Sequence, residues 1–132
     1  MAQSISSVSR ILVVDDDESI RNLYQHVLTR EGFEVHTALN GLEAIEQAAT
    51  ILPSLIILDL IMPEQEGIET LLQLHSKQPD IPVITISGAI GANEYLHVSS
   101  LLGAKFALQK PIRPEMLVKT VRSVLEDAVK AV

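Results

Sequence analysis

Leu55-Ile56-Ile57-Leu58-Asp59, followed at once by Leu60-Ile61-Met62-Pro63, is the stretch that decides the fold. Four consecutive apolar residues between Pro53-Ser54 and Pro63 are too few for a buried helix and suit a strand covered on both faces, as in a parallel sheet. Asp59 stands where that strand runs out. In an open α/β sheet, ligands bind in the crevice outside the carboxyl ends of the strands, so this position places a carboxylate for chemistry. Taken alone, Asp59 also reads as an ordinary solvated acid in a turn.

Upstream, Arg10-Ile11-Leu12-Val13-Val14 repeats the buried-strand signature and ends in Asp15-Asp16-Asp17-Glu18. From Ser19 the period becomes helical, with Ile20, Leu23, Tyr24, Val27 and Leu28 on one stripe and Gly32 as the stop. Phe33 to Ala38 reads as a less apolar edge strand. Asn40-Gly41 turns into a helix with Leu42, Ile45 and Ala49 inward, closed by Pro53. Downstream of Asp59, a loop with Gly67 leads to a helix carrying Ile68, Leu71, Leu72 and Leu74. Ile81 to Ile86 is a strand that delivers Ser87-Gly88. A weaker helix from about Ala92 carries Leu96, Leu101 and Leu102 and stops at Gly103. Lys105 to Leu108 is a short fifth strand leading to Lys110-Pro111, and Pro114 opens a last helix with Leu117, Val121, Val124 and Leu125.

Strand and helix thus alternate five times. That pattern implies an α/β domain with a five-stranded parallel sheet, right-handed crossovers and helices on both faces. The doubly wound order 2-1-3-4-5 puts strands one and three side by side. Asp15 and Asp16 then leave the sheet beside Asp59, and Ser87 and Lys110 end strands four and five on the same rim.

The 132 residues suit one domain, which we place at residues 10–130 behind a loose, Ser-rich tail over residues 1–9. Aromatic residues are only 3% of the chain, so the core must be built from Leu, Ile, Val and Ala. A net charge of −7 argues against direct DNA binding, which needs a basic face. There is no cysteine, hence no disulfide framework and no thiolate metal site. No apolar run approaches the roughly 20 residues that span a bilayer, and the start lacks a basic segment followed by a long apolar one. The expected compartment is the cytoplasm, without membrane insertion.

Carboxylates crowded on one rim repel one another and either protonate in part or take up a cation. With oxygen ligands alone, and His26, His36, His75 and His97 scattered without ligand spacing, Mg²⁺ is the natural occupant. Its habit of keeping one or two carboxylates and a substrate phosphate suggests phosphoryl chemistry. A carboxylate can attack phosphorus to form an aspartyl-phosphate, with metal and a nearby lysine neutralising the transferring group. Lys110 is suited to that task, and Ser87 can donate its hydroxyl to a phosphoryl oxygen.

Val13-Val14-Asp15-Asp16, Leu58-Asp59 with Met62-Pro63 and Gly67, Pro82-Val83-Ile84 leading to Ser87-Gly88, and Gly103-Ala104 leading to Lys110-Pro111 together resemble the receiver domain of two-component response regulators. The intervals from Asp16 to Asp59, Asp59 to Ser87 and Asp59 to Lys110, of 43, 28 and 51 residues, suit that family. The resemblance implies a flavodoxin-like fold, whose strand order is already known from receivers. It implies Asp59 as phosphoacceptor, served by a histidine kinase or histidine phosphotransfer protein. It implies Mg²⁺ held by Asp15, Asp16, Asp59 and the backbone carbonyl of Ile61, with Ser87 following the phosphoryl group and Lys110, before a cis Pro111, pairing with it. It also implies slow self-catalysed dephosphorylation and no conventional enzymatic turnover, with Ile61 and Ala89 tuning the access of water. The domain reads as free-standing, a monomer or a phosphorylation-dependent dimer acting on a downstream protein.

One departure from the family is Ala107, three residues before Lys110, where an aromatic switch residue often stands; without a ring to rotate, signalling must run through Ser87 and the backbone after strand four. Some residues have a second reading. Asp17 suits a helix cap, Ser87 could cap the following helix, and Ile20 reads either as core or as a partly exposed contact for a kinase helix. Asp15 and Asp17 also match the Asp-x-Asp of haloacid-dehalogenase-type phosphatases, with Asp15 as nucleophile, although that leaves Asp59 unexplained. A receiver-like binding module that never accepts phosphate is the remaining alternative.

Overall fold

The computed structural model describes residues 8–61, 66–88 and 92–130. Its elements are β1 (Arg10–Val14), α1 (Glu18–Arg30), β2 (Glu34–Ala38), α2 (Gly41–Ile51), β3 (Leu55–Asp59), α3 (Glu66–Lys77), β4 (Val83–Ser87), α4 (Ala92–Leu101), β5 (Phe106–Gln109) and α5 (Pro114–Lys130). All strand pairs are parallel, in the order β2-β1-β3-β4-β5. The expected architecture and order are therefore those observed.

Strand periodicity sorts the core into two layers. Leu12, Val14, Ile56 and Leu58 meet Ala44 and Ala48 of α2 and Leu71 and Leu74 of α3. Ile11, Val13, Ile57, Ile84 and Ile86 meet Tyr24 and Leu28 of α1 and Leu117, Val121 and Val124 of α5 on the other face. The central β3 is buried at all five positions, as its unbroken apolar run required.

Helix ends follow local chemistry. The Asp17 carboxylate caps α1, and Asn40 caps α2 by accepting from the Glu43 N–H at 2.9 Å while the Glu43 carboxylate accepts from the Leu39 N–H at 3.0 Å. Phe33 lies in the turn between α1 and β2, outside the strand. Its N–H reaches the Leu28 carbonyl and that of Gly32, at φ +95°, reaches Thr29, a left-handed helix stop that delays the strand to Glu34. The fifth strand likewise starts one residue later than the pattern suggested.

Several leucines face outward against expectation. In α2 the sheet is met by Gly41, Ala44 and Ala48, so Leu42 is 67% exposed. Small residues let that helix sit close to the sheet and rotate its bulkier stripe to the edge. Leu72 and Leu101 are exposed too, and Leu23 lies at the rim instead of in the core. Gly67 lies inside α3, buried against Leu60, and not in the preceding loop.

Candidate functional site

Parallel pairing carries β1 and β3 out of the sheet side by side, with Val14 opposite Leu58. The residues that follow, Asp15, Asp16 and Asp59, offer oxygen atoms that all lie within 4.8 Å of one another. Asp15 and Asp59 are buried and Asp16 is exposed. They open onto a cleft of about 540 Å³ that is also lined by Ile20, Leu23, Tyr24, Ile61, Gly88 and Lys110. A larger groove of about 690 Å³ between α1 and α5 gathers no comparable carboxylates. Chemistry, not size, picks out the cleft.

Asp15 is fixed twice. Its Oδ1 accepts the Asp17 N–H at 2.9 Å, and its backbone carbonyl accepts from the Arg21 guanidinium at 2.7 Å. Asp17 is taken up in the cap, its Oδ1 accepting from both the N–H and the hydroxyl of Ser19, which holds its carboxyl below the usual range. Asp59 Oδ1 accepts the Ile61 N–H at 3.0 Å. Burial, and after it the charge of Asp15, outweigh Lys110 and the Ile61 N–H, pushing the Asp59 carboxyl up to about 6.

Lys110 enters from β5 across the rim. Its Nζ donates to Asp15 Oδ2 at 3.0 Å and lies 3.5 Å from Asp59 Oδ2. Burial acts to lower its pKa, yet the bond to Asp15 and the charge of Asp59 prevail and shift it upward. The stem is held by its neighbours: the Lys110 N–H bonds the Ser87 carbonyl, and a Cβ on Gly88 would stand 2.9 Å from Lys110 Cβ and 3.1 Å from Cδ. Gly88 thus leaves the space the lysine stem occupies. The Lys110–Pro111 peptide is cis.

Ser87, the last residue of β4, is 0% exposed, and its Oγ is the one buried side-chain polar atom among the described residues without a hydrogen-bond partner. A hydroxyl left unpaired in a protein interior is costly unless a ligand completes it. It is no cap for α4, which begins at Ala92. Two residues earlier on the same face, Thr85 Oγ1 and Ser99 Oγ of α4 are 2.7 Å apart, both buried. Thr85 stands opposite Ala107 in the β4–β5 register, so a hydroxyl pair ties α4 to the strand beside the small residue.

The structure therefore brings together Asp15, Asp16, Asp59 and Lys110, and leaves Ser87 buried on the adjoining strand end. Ile20 is half-buried, packing on the core while lining the cleft. Ala89 and Met62-Pro63 lie outside the described residues. None of the four histidines joins the acidic group. Sequence reasoning missed Arg21 as the clamp on the Asp15 carbonyl and Tyr24 as a wall of the cleft. Helical spacing placed Tyr24 in the core, and its hydroxyl was the unused signal.

Comparison with known proteins agrees with this geometry. The response regulator receiver domain model matches residues 11–122. The chain is 38% identical over 117 residues to the alkaline phosphatase synthesis transcriptional regulatory protein PhoP of Bacillus subtilis, covering 88% of the chain and 48% of that protein. It is 36% identical to the response regulator MprA of Mycobacterium ulcerans, covering 88% and 50%. The chain thus spans about half the length of these relatives. A CheY-like receiver domain protein from Methanospirillum hungatei superposes with a TM-score of 0.88 at 30% identity, over 96% of this chain and 100% of that one. The chemotaxis protein CheY4 of Vibrio cholerae gives 0.80 at 32%, over 89% and 99%. Acids leaving β1 and β3 together, a lysine reaching back from β5, and a match running through nearly every element make this chain a member of the response regulator receiver domain family of two-component signal transduction.

Proposed function

We propose that Asp59 accepts a phosphoryl group from a phosphohistidine on a histidine kinase or phosphotransfer protein, with Mg²⁺ at the neighbouring carboxylates. The observation that carries this is the convergence of three carboxylates in an open cleft, two of them, Asp15 and Asp59, paired with Lys110. An all-oxygen donor set fits a hard cation, and burial of Asp15 and Asp59 makes uncompensated negative charge there costly. Asp15, Asp16, Asp59 and the Ile61 carbonyl would hold the ion. When bound, it would supply positive charge to the phosphoryl oxygens as they transfer.

The chain's own residues do the rest. With its carboxyl at about 6 in the metal-free site, Asp59 is already largely ionised near neutral pH and available as a nucleophile. A carboxylate oxygen of Asp59 forms the new bond to phosphorus as the bond to the donor nitrogen breaks and its electron pair returns to the imidazole. Lys110, already 3.5 Å from Oδ2, pairs with the added charge. Ser87 gains in the phosphoryl group the acceptor its hydroxyl lacks, a reason for the end of β4 to move. Ile20, Leu23, Pro111 and Ile112 form an apolar border on which a donor helix can rest.

The phosphatase alternative is disfavoured because the chain matches the receiver domain family over residues 11–122 and because it leaves Asp59, at the centre of the acidic cluster, without a role. Incubation with a small acyl-phosphate donor and Mg²⁺ should add one phosphoryl group to the intact mass, and chelator should slow this by about two orders of magnitude or more, the scale of losing a key electrostatic stabiliser. Absence of an adduct would support the binding-module alternative.

A further inference from the structure

The oxygens that hold the Lys110 ammonium, Asp15 Oδ2 and Asp59 Oδ2, belong to the carboxylates that converge as a cation site. A divalent ion and the ammonium therefore compete for the same charge. Two cations brought together in a partly buried cleft repel strongly, so the lysine must loosen its grip on Asp15 when the ion arrives. Its stem has little freedom, packed as it is against Gly88. The ammonium swings within the cleft and needs another oxygen there.

The described cleft wall offers few. Its side chains bearing oxygen are Asp15, Asp16, Asp17, Asp59 and Tyr24. Asp17 is solvent-exposed with its Oδ1 engaged by Ser19, and Asp15, Asp16 and Asp59 form the cation site. Tyr24 remains, the one neutral side-chain oxygen lining the cleft among the described residues. It is 4% exposed, it is packed in the core layer with Val13, Ile57 and Ile86, and it lines the cleft together with Lys110. A phenol whose ring is buried ordinarily finds a polar partner for its tip, and here the adjoining polar space is the cleft.

We propose that Tyr24 is a positioning residue of this site, its phenolic oxygen accepting the Lys110 ammonium when a divalent cation occupies the Asp15, Asp16 and Asp59 oxygens. The inference rests on the Mg²⁺ reading given above. Burial, followed in order by the charges of Lys110, Asp15 and Asp59, acts on the phenol with a net upward shift, which keeps it neutral near pH 7 and able to accept. Tyrosine in this place lowers the cost of separating lysine from Asp15. It thereby favours ion binding.

The test is a double-mutant cycle on Mg²⁺ affinity, measured by calorimetry on wild type, Tyr24→Phe, Lys110→Met and the double variant. Tyr24→Phe keeps the packed ring, and an unchanged thermal midpoint establishes that the fold is intact. Affinity should fall about three- to tenfold on Tyr24→Phe when Lys110 is present, the scale of one hydrogen bond, and by less than about twofold when Met replaces it. Equal losses in both backgrounds, or none in either, overturn the proposal. So does a wild type that binds no Mg²⁺, which also removes the metal reading. Coupling observed in a protein that takes up no phosphoryl group would uphold the role of Tyr24 while overturning that of Asp59.

Discussion

Asp59→Asn is expected to raise the stability of the metal-free domain by about 2 kcal/mol at pH 7.5. The argument is linkage. The folded-state carboxyl, at about 6, lies roughly two units above the 3.9 of an unfolded chain, so the native state holds the proton more tightly. Below about pH 4 both states are protonated and Asp59 costs nothing. As pH rises through 6 the native state must ionise a buried group beside Asp15, and up to about 3 kcal/mol is lost. Asn removes that charge while its carbonyl oxygen can still accept the Ile61 N–H. The gain should therefore vanish near pH 4 and shrink when Mg²⁺ stabilises the wild type by mass action. Urea unfolding at several pH values, with and without chelator, measures this, and a destabilised or pH-indifferent Asn variant would contradict it.

The largest loss is expected at Gly67. A Cβ there would overlap the carbonyl oxygen and Cα of Leu60 and stand 2.6 Å from its carbonyl carbon. These are backbone atoms immediately after β3, so no side-chain rotation relieves the clash. Leu60 is itself pinned, its N–H bonded to the Ile86 carbonyl at 2.8 Å. Gly67→Ala must push α3 off the strand end that carries Asp59, at a cost of about 3 kcal/mol or more. Denaturant midpoints should show it, together with weaker Mg²⁺ binding as the acidic cluster spreads. A variant as stable as wild type would mean that α3 packs otherwise.

Charge and clash at β3 explain why the sequence was readable where it was. The run Leu55 to Leu58 is apolar without interruption because β3 has neighbours on every side, and Asp59 breaks it because the sheet ends there. The rim residues Asp15, Asp16, Asp59 and Lys110 were legible because topology alone brings strand ends together. Helix rotation was less legible. Hydrophobic spacing placed Leu42 inward, yet Ala44 and Ala48 make the contact, since helix packing selects for fit as well as apolarity. Leu101, 73% exposed, sits on the helix with the weakest pattern. Arg21 and Tyr24 escaped notice for a different reason: one acts through a backbone carbonyl and the other through a hydroxyl on a residue whose ring belongs to the core. Periodicity sees which face a residue occupies, not what its tip touches.

The central claim is that Asp59, and no other carboxylate of the cluster, takes the phosphoryl group. Phosphorylating the protein with a small acyl-phosphate donor and Mg²⁺, trapping the acyl-phosphate chemically and sequencing the peptides by mass spectrometry tests it most directly. The tag is expected on Asp59 alone, and absent in Asp59→Asn. A tag on Asp15, or one that persists in Asp59→Asn, would contradict the account.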